Sequence, residues 1–194
     1  MVRWWPPMGL VAMLALGWAV GLGSTPIDGW FLRLGREMGR DRHWFLIFTD
    51  WRLLGVVLVV SLAVLVSRRQ RWQAAALAVS PLAAVALAQL LKRLFGRDKG
   101  GGLAYPSGHV TFLVVVMCVL VVAAGGAVWA VSVAVAVSML GMFGQAINYH
   151  YFTDTIGAAL LATSVVCVAL SSHRRLTGVK PSGHGVSSSS GDGN

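Results

Sequence analysis

The chain has 194 residues, 56% hydrophobic and only 12% charged, against about 25% charged in ordinary soluble domains. That balance excludes a water-soluble globular protein and points to a bundle embedded in a bilayer, occupying the whole chain with no room for a second folded domain. The net charge of +9 would suit nucleic acid in a soluble protein. Here cations flanking apolar segments serve membrane topology and anionic headgroups, and no nucleic-acid-binding motif is present, so nucleic acid is not an expected partner.

Residues 1–7 form a short head, with Arg3, Trp4 and Trp5 suited to a membrane interface, and 8–23 is the first apolar run. It reads as a span; its basic start and the stretch Gly21-Leu22-Gly23-Ser24 before Pro26 leave a signal peptide as the alternative. Over 27–40, Ile27, Phe31, Leu34 and Met38 fall on one side at helical spacing and Arg33, Arg36 and Arg40 on another, which predicts an interfacial amphipathic helix. The second span is 51–66, closed by Arg68, Arg69 and Arg71, and the third is 73–91, ending at Lys92-Arg93. Residues 97–106, with Gly100-Gly101-Gly102 and Pro106, read as a loop. Spans four, five and six are 109–124, 127–147 and 154–171, the first two joined by Gly125-Gly126.

Past His173-Arg174-Arg175 the composition turns to serine and glycine, too poor in apolar residues to order itself. The expected fold class is therefore all-α, a polytopic six-transmembrane-helix bundle over 1–175 with an interfacial amphipathic helix after the first span, and a disordered tail over 176–194. Cys118 and Cys167 sit inside apolar runs as small hydrophobes, with no zinc or disulfide spacing.

Counting crossings assigns the polar helix ends to faces. Lys92 and His109 are joined by loop alone, and His109 and His150 are separated by two crossings, so all three share one face. Asp154 lies one turn beyond His150, where i and i+4 positions are neighbours. Lys92, Arg97, Lys99, Ser107, His109, His150 and Asp154 are thus candidates for a single site.

The stretch Tyr105-Pro106-Ser107-Gly108-His109 supplies an anion site. Ser107 is a good N-cap, and the helix behind it offers free N–H groups and a partial positive charge. Gly108 lets an oxyanion approach the backbone. Asp154 can hold one nitrogen of the His150 ring as N–H, which leaves the other free to attack phosphorus, while His109 can protonate the leaving oxygen. The repeat Pro181-Ser182-Gly183-His184 precedes no apolar helix and is taken as chance.

These residues resemble the type 2 phosphatidic acid phosphatase superfamily, the lipid phosphate phosphatases. Its pattern is a lysine, six residues, Arg-Pro; then Pro-Ser-Gly-His; then Ser-Arg, five residues, His, three residues, Asp. Pro106-Ser107-Gly108-His109 and the element from His150 to Asp154 match, and Lys92 matches the lysine. Lys99-Gly100 stands in place of Arg-Pro, and Phe143-Gly144 in place of Ser-Arg. The resemblance implies a phosphohydrolase acting through a phosphohistidine without cofactor or metal. In it His150 is the nucleophile, Asp154 orients it and His109 is the general acid, while Lys92, Ser107 and Gly108 bind phosphate.

Arg97 and Lys99 are added here as phosphate-binding replacements for the missing arginines, with Gln145 and Asn148 as neutral donors. The implied partner is a lipid phosphate or diphosphate, of phosphatidate or polyprenyl type, at the plasma membrane with the site outside the cytoplasm. Two other readings are a catalytically impaired lipid-phosphate binder and a metalloprotein using His109, His150 and Asp154 as a two-histidine, one-carboxylate set.

Overall fold

The computed structural model describes residues 4–21 and 23–176. Arg3 and all but the first residue of the expected tail lie outside them, as does the second Pro-Ser-Gly-His copy. The described chain is all-α apart from one small ribbon: α1 Trp5–Val20, α2 Pro26–Glu37, a 3₁₀ helix Gly39–Thr49, α3 Trp51–Ser67, α4 Arg71–Phe95, α5 Gly108–Ala123, α6 Val128–Asn148 and α7 Phe152–Leu176. Inside the expected loop, β1 Asp98–Lys99 pairs antiparallel with β2 Gly102–Leu103. Gly100 and Gly101, both at positive φ, make the turn.

Four helical stretches are long and apolar enough to cross a membrane: Gly39–Ser67, Arg71–Phe95, Val128–Asn148 and Phe152–Ser171. Trp5–Val20 and Gly108–Ala123 are shorter apolar helices. This is the make-up of an integral membrane protein.

α5 is the central helix, touching α3, α4, α6 and α7. Its sequence is apolar on every side, and a helix of that kind is stable only when surrounded. Val110, Leu113, Val115, Val116 and Val119 are accordingly fully buried in it. α4 carries Pro81, which has no N–H for the carbonyl of Leu77; the Ser80 hydroxyl donates to that carbonyl instead, at 2.8 Å.

α1 lies along α7. Gly17 of α1 and Gly157 of α7 leave space for the ring of Tyr105, whose hydroxyl donates to the Met13 carbonyl. That clasp ties the segment before α5 to two helices at once.

The amphipathic helix is α2, with a different buried face from the one expected. Asp28, Phe31 and Gly35 point inward and Ile27 outward. Phe31 stacks on Phe152 with ring centroids 4.3 Å apart. The carboxylate displaces Ile27 from the interior because it has buried partners, described below. The 3₁₀ helix has no counterpart in the expected elements; Phe45 docks on α6 at Gly144.

A Cβ at Gly157 would fall 2.5 Å from ring atoms of Tyr105. Gly157→Ala is expected to cost about 1–3 kcal/mol, as overpacking does, read as a lowered Tm in detergent. Gly55→Ala, where a Cβ meets nothing within 4 Å, should stay within about 0.5 kcal/mol. Equal effects at the two positions would refute the clasp.

Candidate active site

Ser107 caps α5, accepting from the Val110 N–H at 3.5 Å. Its own N–H donates to the Asp154 carbonyl at 3.2 Å, so the start of α5 is stitched directly to the start of α7. On the far side of the site, the His150 N–H donates to the Gln145 carbonyl at 2.8 Å as α6 ends. Lys99 on β1 donates its ammonium to the His150 carbonyl. His150 is therefore held by α6 and by the ribbon.

One cavity of about 430 Å³ brings together Lys92 from α4, Gly108 and His109 from α5, and His150. Its polar lining also includes Gln89 and Thr49; Trp51, Pro81, Leu82, Val85 and Phe112 complete the wall. Lys92 is the one Lys or Arg among these lining residues. His150 is buried, and His109 is exposed to the cavity mouth.

The remaining expected residues lie behind that wall. Asp154 is fully buried, its Oδ1 accepting from Arg97 at 2.7 Å and its Oδ2 from the Tyr151 N–H at 2.8 Å. His150 Nδ1 stands 3.7 Å from Asp154 Oδ2, beyond hydrogen-bond range, and is buried without a partner. With both carboxylate oxygens so held, Asp154 does not face the cavity as a metal ligand would. Among the described residues no three His, Cys, Asp or Glu side chains converge.

Arg97 corrects an expectation. Gly96 in the left-handed conformation ends α4 and sends the next residue inward, where Arg97 is 1% exposed. Its Nε donates to the Gly23 carbonyl at 3.1 Å, Nη1 to Thr153 Oγ1 and Asp154 Oδ1 at 2.7 Å each, and Nη2 to Gly23 at 2.7 Å and Asp28 Oδ2 at 2.9 Å. A guanidinium has five N–H groups, and all five are occupied. Its expected place on the phosphate gives way to a buried bridge between two carboxylates.

Asp28 is the other pole of that bridge and belongs to no expected site. It accepts from the Thr25 N–H at 2.9 Å and the Thr153 N–H at 3.0 Å as well as from Arg97. Burial pushes its carboxyl upward, but those donors outweigh burial and hold it below the ordinary carboxylate range. A signal was present: Thr25 and Asp28 have capping-box spacing, in a chain with only seven Asp and Glu.

The neutral replacements are occupied too. Gln145 Nε2 donates to Thr49 Oγ1 at 2.8 Å, and Asn148 Nδ2 donates to the carbonyls of Arg42 and Gly144. Gly144, at the place of the pattern's arginine, lies so close to Phe45 that a Cβ would fall 2.6 Å from its carbonyl oxygen. A long side chain has no room there. Gln89 had its own signal as the polar residue three before Lys92 in an apolar span.

Lys99 sits half-buried with its nitrogen 4.9 Å from the Tyr151 ring centroid, and Arg97 Cζ lies 4.3 Å from the same centroid. Burial drives the Lys99 ammonium down to about 8, although Asp154 and Asp28 oppose the shift.

Comparison of the chain with protein-family models, with curated proteins and with solved structures finds no match in any of the three.

Two outcomes follow for stability. Arg97→Ala strands two buried carboxylates and should cost about 3–5 kcal/mol; combined with Asp28→Asn it should cost less than the sum of the single changes. Additive losses in a double-mutant cycle would contradict the bridge. Lys99 binds its proton more weakly folded, at about 8, than at the ordinary 10.5, so the unfolded chain holds more protons in that interval. Its contribution is complete above pH 10.5 and is lost as pH falls through about 8. Wild-type stability should therefore rise across this window relative to Lys99→Gln; parallel pH profiles would exclude the shift.

Proposed function

We propose that the chain is an integral-membrane phosphohydrolase, similar to type 2 phosphatidic acid phosphatases, that removes phosphate from a lipid phosphate through a phosphohistidine. The observation that carries this reading is one cavity lined by Lys92, Gly108, His109 and His150 and continued by Leu82, Val85 and Phe112. A polar end holding two histidines and a cation, joined to an apolar wall, matches an amphiphile with phosphate at its head. In this reading α1, α3, α4, α5, α6 and α7 each cross the bilayer. Both ends of the chain then share one side, and the site faces the outside of the cell membrane.

The chemistry assigned to these residues balances in two steps. A nitrogen of His150 attacks phosphorus and the bond from phosphorus to the lipid oxygen breaks, that oxygen taking a proton from His109. Water then gives a proton back to His109 and attacks phosphorus. The phosphorus–nitrogen bond breaks and inorganic phosphate leaves. Lys92 and the α5 N-terminus offset charge on the phosphate oxygens. Asp154, 3.7 Å from Nδ1, orients the ring once a small rotation closes the gap, leaving Nε2 to attack.

A second reading draws on the same cavity. With one Lys or Arg in the lining and Arg97 fully occupied, the site fits a lipid-phosphate binder without turnover. Phosphate release from purified protein separates the two. Release should persist in excess chelator and vanish in His150→Ala. His109→Ala should lower the rate by about 10²–10⁴, and radiolabelled phosphate should be trapped on His150 by acid-sensitive, base-stable labelling. Binding of lipid phosphate with no release above the His150→Ala background would favour the binder.

A further inference from the structure

The cavity sorts its lining by depth. Along α4, Lys92, Gln89, Val85 and Leu82 follow at helical spacing on one face, and along α5 His109 gives way to Phe112. Both helices run from polar to apolar in the same direction, over about 15 Å on α4 at 1.5 Å per residue. Leu82 at the far end is 77% exposed, so the furrow opens sideways toward the bilayer. The charged layer is one helical turn deep.

We infer that the site takes lipid monophosphates and discriminates against lipid diphosphates, an inference that rests on the phosphohydrolase reading above. To release inorganic phosphate from a diphosphate, the terminal phosphorus must face His150. The inner phosphate, which joins it to the lipid, then lies on the tail side. There the wall is Val85, Leu82 and Phe112, while Gln89, whose amide nitrogen stands beside Gly108, and the single lining ammonium, Lys92, belong to the opposite end.

Among the described residues no second Lys or Arg lines the cavity. Arg97 has its five donors occupied behind the wall, and Lys99 is held at the His150 carbonyl. A charged group moved from water to an apolar wall without a partner is strongly disfavoured. A monophosphate places only its uncharged ester oxygen and the first carbons there, which Val85 and Phe112 suit.

The test uses the purified full chain and two matched pairs: a monophosphate and a diphosphate of one polyprenyl alcohol, and of one diacylglycerol. Phosphate release is measured beside His150→Ala. Each monophosphate is expected to have a kcat/KM at least about tenfold above its diphosphate, equivalent to about 1.4 kcal/mol. Val85→Lys puts a cation at the level of the inner phosphate and should narrow that ratio about tenfold. Equal or faster cleavage of the diphosphates overturns the inference and leaves the phosphohydrolase reading standing. No release from any of the four lipids above the His150→Ala background overturns that reading, and this inference with it. A ratio unmoved in folded Val85→Lys protein also overturns the inference, and if that variant does not fold the wild-type ratio decides.

Discussion

The site depends on one buried charge arrangement, Arg97 held between Asp28 and Asp154. Both ion pairs have side chains with no exposure, at 2.9 and 2.7 Å. A guanidinium so enclosed persists only when every N–H is met, and the partners that meet it come from the α1–α2 connection, α2 and α7. The ribbon, the amphipathic helix and the first turn of α7 are thereby fixed with respect to one another. His150 sits at their junction. Two carboxylates against one guanidinium leave a negative excess, which Lys99, interacting with both Asp154 and Asp28, tempers while half-buried despite the cost to its own ammonium.

α5 gives the arrangement its other half. Because it is apolar all round, it takes the centre of the bundle, and its N-terminus must then end among the polar ends of α4, α6 and α7. Ser107 closes that end by capping its own helix and donating to the Asp154 carbonyl. The same placement that buries Val115 and Val119 therefore sets Gly108 and His109 on the cavity.

What was legible in the sequence was local. Apolar runs mark the helices, Pro106-Ser107 marks the start of α5, and the expected count of crossings groups Lys92, His109 and His150, which one cavity brings together. What was not legible depends on partners distant in the chain. Arg97 looked like a phosphate ligand because nothing near it in sequence reveals that Asp28 and the Gly23 carbonyl, some 70 residues earlier, will enclose it. Asp28 shows a local capping pattern while its second role is tertiary. The stretch Gly39–Thr49 mixes Arg40, Arg42 and His43 with Trp44, Phe45 and Ile47 in no clear period, and it takes its form where Phe45 meets Gly144. The exchange of Ile27 for Asp28 on the buried face of α2 has the same origin.

Pro81 lies in the cavity wall at its apolar end, beside Leu82 and remote from Lys92. One rung of the backbone ladder is missing there, and the Ser80 hydroxyl that satisfies Leu77 belongs to the same turn. It keeps the carbonyl from being stranded without splinting the helix across the gap. A bend at this proline would turn the apolar end of the wall and leave the polar end beside Lys92 in place.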